Sequence, residues 1–237
     1  MNMMTSLGQP RLQSMLAAGV EVLRIQEGLA ARRGNLVAEL LRGQGDFYEQ
    51  EHYPAGDVFD PESGAQYYYH AHRGDAREHG HFHVFMRPHH LPERFEPAQW
   101  AKPGLKVPCG PLGAAALAHI VAIGMDNYGL PVRLFTVNRW VTDETWFAAR
   151  DVIAMLDRFQ VGHAYPSARV NSWLTGLLRL FQPEIAELIR RRDAAVEARG
   201  RANPRASALE DRSLEITASL DISVERRVRQ LRRSLGQ

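Results

Sequence analysis

The sequence predicts an α+β domain: an antiparallel sheet of about five strands, made from two hairpins and a C-terminal strand, flanked by N- and C-terminal helices. Three observations predict it. Apolar residues recur at three- and four-residue steps over the first forty positions, two aromatic runs rich in histidine alternate at period two, and "DNYG" separates two apolar runs in "HIVAIGMDNYGLPVRLFTVNRW".

The first element spans about Pro10 to Leu41, where Leu12, Met15, Leu16, Val20, Leu23, Leu29, Val37 and Leu40 mark one helix face. Gly28 and Gly34 interrupt the pattern, so it reads as one broken helix or as two shorter ones. "YPAGDVFDPESGAQ" is dense in Pro, Gly, Asp and Ser and reads as a loop. "AQYYYHAHR" and "HGHFHVFM" then suit two strands. The stretch from 88 to 113 is rich in proline and glycine and reads as a long irregular connection.

In the second hairpin Gly129 supplies a residue tolerant of the left-handed conformation. Its strands are apolar on both faces, which predicts central positions with cover on each side. Thr142, followed by Asp143 and Glu144, predicts an N-capped helix over about 143–159. Further helices are expected from about residue 167 and from Pro183 to a stop at Gly200. Residues 1–200 read as the main domain. Residues 201–237 read as a linker, a half-buried strand over "SLEITASLDIS" and a short basic helix opened by Ser223, packing on the same domain.

Composition narrows the function classes. The chain carries 29 basic and 27 acidic residues over 237 positions, and its arginines are scattered. This balance gives no reason to expect a nucleic-acid or membrane partner. Cys109 is the single cysteine, so no internal disulfide forms; it reads as an ordinary loop thiol, or as a reactive thiol or soft metal ligand. The N-terminal run "MLAAGV" is too short for a signal or membrane segment, so a cytoplasmic location is expected.

Chemistry concentrates in one place. Five of the chain's ten histidines, His70, His72, His79, His81 and His83, fall within 14 residues. If Gly74 to Arg77 form a four-residue hairpin loop, His70 faces His81, His72 faces His79 and Tyr68 faces His83. Directly paired residues share a face with Cβ atoms about 4.5–5.5 Å apart, and alternation puts all five imidazoles on one surface. A one-residue slip separates them. Positions four apart on a strand lie about 13 Å from each other, so His79 and His83 do not clasp the same ion. A compact site combines histidines from both strands.

Such a face suits a divalent transition metal, with zinc, iron, copper and nickel all compatible. It also suits phosphate chemistry, or a structural or pH-sensing role. Glu78 reads as a fourth ligand, a general base or a solvated carboxylate. Elsewhere, His119 reads as a core histidine, and His89 and His90 as surface residues. Arg87, Asn138 and Arg139 are candidates for contacts to a small-molecule substrate, the last two at a strand-to-helix junction that can receive an anion.

Three resemblances attach to these residues. Gly64, His70, His72 and Glu78 resemble the first cupin motif, although Glu78 falls one position late; the resemblance implies a metal-binding barrel. His79, His81, His83, Val84 and Phe85 resemble the motif of histidine-triad nucleotide hydrolases and transferases, which implies a nucleophilic role for His81. "EHGHFHVFMR" together with "GLPVRLFTVNRWVTDETW" is similar to a bacterial family of uncharacterised domain proteins, a likeness that covers most of the chain and implies no activity. The leading expectation is a metal-binding protein, acting as a mononuclear metalloenzyme that activates water or dioxygen. A nucleotide or phosphoester hydrolase and a non-catalytic module are the alternatives.

Overall fold

The computed structural model describes residues 7–72, 78–102 and 105–237. The N-terminal pattern resolves into two helices, α1 (Gln9–Ala30) and α2 (Leu36–Leu41). The Asn35 side chain accepts the Ala38 N–H and so starts α2.

The next segment corrects the loop expectation. Residues Tyr53–Phe59 form a strand, β1, beside β2 (Ala65–His70). Its pattern is hidden because Gly56 and Asp57 both take positive φ, at 81° and 62°, and the pairing with β2 shifts register between Tyr53 and Val58. A bulge of this kind breaks the period-two signal that marks a strand. β3 (Gly80–Met86) follows, and a two-stranded ribbon, β4 (Gln99–Lys102) and β5 (Leu105–Pro108), lies inside the stretch expected to be irregular.

β6 (Ala118–Met125) and β7 (Pro131–Val137) form the second hairpin. Asp126 closes its turn by accepting the Tyr128 and Leu130 N–H groups, and Gly129 takes φ 73°. A separate short helix, α3 (Arg139–Thr142), comes first, and the helix expected over 143–159 is shortened to α4 (Ala149–Leu156). Asn138, not Thr142, caps the first, and Asp143 turns left-handed with φ 51°. That turn sends Glu144 into the interior, where it is 1% exposed.

α5 (Ala168–Leu180) and α6 (Gln182–Ala202) match the next two expectations, although α6 continues through Gly200. β8 (Ile216–Asp221) is shorter and more exposed than the strand read from the sequence, because it forms an edge with β7 as its neighbour. α7 (Val224–Ser234) begins at Ser223, whose side chain accepts the Arg226 N–H.

The main sheet thus has six antiparallel strands, not five, in the order β1-β2-β3-β6-β7-β8. One face, carrying Val58, Tyr67, Tyr69, Phe82, Val84, Met86 and Ile123, shares a single large core with the helices. Trp173 of α5 meets the Phe82 ring there at 6.0 Å. The opposite face carries Ala122, Phe135 and Val137 as a separate small cluster, and the histidines. Among the described residues no helix is long and apolar enough to cross a membrane.

Candidate metal centre

The decisive register is the one between β2 and β3. His70 pairs with His81 and Tyr68 with His83, so these side chains project from one face on adjacent strands. The loop from Gly74 to Arg77 that was expected to set this register lies outside the described residues. His70 Nε2 and His81 Nε2 approach to 2.8 Å. His70, His81 and His83 each offer a ring nitrogen within 4.8 Å of the others. His72, exposed at the end of β2, leans over the group with its ring 4.4 Å from His70 and 5.3 Å from His81.

His79 departs from the expectation of five imidazoles on one face. It precedes β3, where strand alternation does not yet hold, and its Nδ1 lies 2.6 Å from the Tyr69 hydroxyl on the core side. Gly80 permits this. A Cβ there would sit 2.6 Å from the same hydroxyl, so only a glycine lets the Tyr69 ring slide beneath the chain.

Two histidines outside the motif join the face. His119 of β6, fully buried, places Nε2 at 3.0 Å from His83 Nδ1. His52, just before β1, stacks on Tyr68 with centroids 3.5 Å apart. Neither is visible in the alternating motif. His119 stands alone in an apolar run, and His52 lies in the segment whose strand is masked by its bulge.

Burial sets the charge state of this group. It lowers the His70 pKa to about 3, helped by the neighbouring His72 and His52, and it holds His81 and His83 well below the ordinary value of 6.5. At neutral pH these rings are uncharged and carry lone pairs, the form in which imidazole ligates a metal.

A cavity of about 240 Å³ opens beside the triad, with His81 and His83 on its wall, Phe135, Val137 and Val141 as apolar lining, and Glu78 and Arg133 together at one side. Glu78 is not a solvated carboxylate. Its side chain is 7% exposed, lies against Gly124 and pairs with Arg133 at 2.6 Å. The Arg133 guanidinium in turn covers the Phe135 ring at 4.7 Å. A larger groove of about 460 Å³ runs between the segment from Pro88 to Pro97 and Leu112, and it contains His89. Among the described residues the one group with metal-ligating spacing is at the smaller cavity.

The proposed substrate contacts lie elsewhere. Arg87 bonds Gln66 Oε1 and the Ala114 carbonyl. Asn138 is fully buried and ties Arg139 N–H to the Ala208 carbonyl. Arg139 pairs with Glu210 and Asp143. None of the three lines the cavity beside the triad. Cys109 is buried, and burial raises its thiol pKa, which is the profile of an unreactive cysteine.

No curated protein and no solved structure matches the chain. Residues 16–222, from within α1 to just beyond β8, match a family model and include every histidine described above. The chain therefore belongs to the family described as Domain of unknown function (DUF6969).

Proposed function

We propose that this protein binds a divalent transition metal through His70, His81 and His83, with His72 in reach as a further imidazole. In this reading it works as a mononuclear metalloenzyme on a small molecule held in the adjoining cavity. The observation that carries the reading is the convergence of three ring nitrogens, two on buried histidines and one on half-buried His81, within 4.8 Å of one another beside that cavity.

The donor set fits the group. A tetrahedral ion with nitrogen ligands at about 2.0–2.1 Å needs ligand atoms about 3.3 Å apart, so the 2.8 Å contact between His70 and His81 has only to open slightly. His81 lies against both His70 and His83, with ring centroids at 4.6 and 4.9 Å, so the three rings surround one point. Gathering titratable rings whose protonation is suppressed by burial costs stability in acid, and clusters of this kind concentrate at functional sites. Zinc, iron, copper and nickel all suit the ligands. When bound, such an ion supplies Lewis acidity, or activates water or dioxygen.

The hydrolase alternative has less support. His81 Nε2, which would attack a phosphate, is directed at His70, and the cavity's arginine, Arg133, is ion-paired with Glu78. The near-neutral charge balance favours a small-molecule partner over nucleic acid, and a cytoplasmic setting belongs to the same reading.

The test is metal analysis of protein purified without a histidine tag, beside a His70→Ala/His81→Ala variant. Wild-type protein should retain close to one ion per chain and the variant none. Metal at a hundred times Kd should stabilise the stripped wild type by about 2.7 kcal/mol, or about 5–10 °C in Tm for a chain of this size. Metal-free protein whose Tm ignores added divalent ions would overturn the proposal.

A further inference from the structure

We infer that His119 is a positioning residue for the metal centre: its Nε2 accepts the Nδ1–H of His83 and thereby holds His83 Nε2 unprotonated toward the ion. The inference rests on the metal-binding reading above. It begins from a backbone irregularity. β3 and β6 pair with His81 opposite Gly124, His83 opposite Ala122 and Val84 opposite Val121, but Phe85 lies opposite His119. One extra residue, Ile120, has been inserted on β6. Without that insertion Ile120 would oppose Phe85, and His119 would point to the core face with Met86. The bulge re-aims one side chain, and the chain accepts a break in a central ladder to achieve it.

The surroundings complete the placement. The buried carboxylate of Glu144 accepts the His119 backbone N–H at 2.7 Å, and Thr145 N–H bonds the Leu117 carbonyl at 2.8 Å, so the segment after α3 straps the start of β6 in place. The imidazole then reaches His83 Nδ1 at 3.0 Å. With Nδ1 occupied, the other nitrogen of His83 is the one left for an ion. A neutral imidazole that donates from one nitrogen presents a lone pair on the other, and a partner fixing that tautomer raises ligand basicity as well as fixing ring orientation. His119 itself stays outside the ligating group of His70, His81 and His83. Its Nδ1 is buried without a protein partner, so its protein hydrogen bonding is directed at His83.

Reach separates this role from mere packing. His119→Gln carries a carbonyl oxygen to the position of Nε2, whereas His119→Asn stops short near Nδ1. Cobalt(II), whose d–d bands report ligand geometry, is titrated into stripped wild type and both variants, with the Tm of each metal-free protein measured alongside. Wild type and His119→Gln should bind cobalt within about threefold of each other, with the same bands. His119→Asn should bind roughly 10- to 100-fold more weakly, the cost of losing such a partner. Equal affinity in His119→Asn and wild type, or equal weakening in both variants, would overturn the role of His119 while leaving the metal site standing. Wild type that binds no cobalt or other divalent ion would remove the metal reading, and this inference with it.

Discussion

Gly124→Ala is the substitution that tests most directly how the cavity beside the triad is built. Gly124 is the cross-strand neighbour of His81, and a Cβ at this position would stand 2.5 Å from both Cδ and Oε1 of Glu78. Ordinary contact needs roughly 3.5 Å, so the carboxylate must retreat by about 1 Å. It is not free to do so without loss, because it pairs with Arg133 at 2.6 Å and both side chains are largely buried, at 7% and 19% exposure. Overpacking of this kind costs about 1–3 kcal/mol. Removing a glycine at ordinary φ returns about 0.4–1 kcal/mol through the unfolded chain. The net runs from about zero to a destabilisation of about 2.6 kcal/mol. In a Glu78→Ala background the obstacle is gone, and the same substitution should stabilise by about 0.4–1 kcal/mol. A double-mutant cycle read from urea midpoints at constant m therefore shows a coupling of about 1–3 kcal/mol. If Gly124→Ala costs the same with and without the Glu78 side chain, the packing of the carboxylate on Gly124 is not what shapes this wall.

Two further perturbations probe buried charge. Burial pushes the Glu144 carboxyl up to about 7 from its ordinary 4.5, against the opposing influence of Arg192, the His119 N–H and Arg139 and with a further push from Asp193. The folded state holds the proton more tightly than the unfolded chain, so this contribution is fully present below about pH 4.5 and is lost as pH rises through 7. Glu144→Gln keeps an acceptor for the His119 N–H and removes the ionisation. Relative to wild type it should gain about 3 kcal/mol in urea stability between pH 4.5 and 8, and parallel pH profiles would refute the assignment. Arg227 of α7 meets Glu184 of α6 at 2.7 Å with both side chains at or below 10% exposure. Arg227→Ala should cost about 3–5 kcal/mol, whereas Arg227→Met with Glu184→Leu should come within about 1 kcal/mol of wild type, because the pair's own desolvation cost disappears with it. A double variant as unstable as the single one would show that the charges themselves are needed.

Spacing offered the histidine register only as a condition on the turn. A four-residue loop pairs 70 with 81 and 68 with 83 and a one-residue slip separates them; the three consecutive tyrosines of β2 do not decide between the two, and the structure has the first pairing. The rest of the face was not readable, for reasons that are local. β1 carries two positive-φ residues inside a strand, so Tyr53–Phe59 has the composition of a loop. His119 reaches the site through a bulge that leaves no trace in residue types, because Ile120 and Val121 are both core residues and look like continuous strand. His79 obeys the motif's spacing but sits one position before the strand begins, where a Tyr69 hydroxyl captures it. Asp143 and Glu144 look like a helix's first-turn acids, yet the left-handed turn at Asp143 makes one of them an interior anchor for β6.

The order of strands has a consequence for how the site behaves in time. His70 lies on β2 and His81 and His83 on β3, and β3 is hydrogen-bonded on both sides, to β2 and to β6. Amides in such a strand exchange with solvent only through the rarest openings, those whose free energy approaches that of unfolding the whole domain. The backbones of these histidines should therefore be among the last in the molecule to take up deuterium, so their ring nitrogens stand on a rigid frame. On the proposed metal-binding reading, capture of an ion would draw little on rearrangement of the sheet, and fraying at the edges, where β1 and β8 lie, would not reach the ligands.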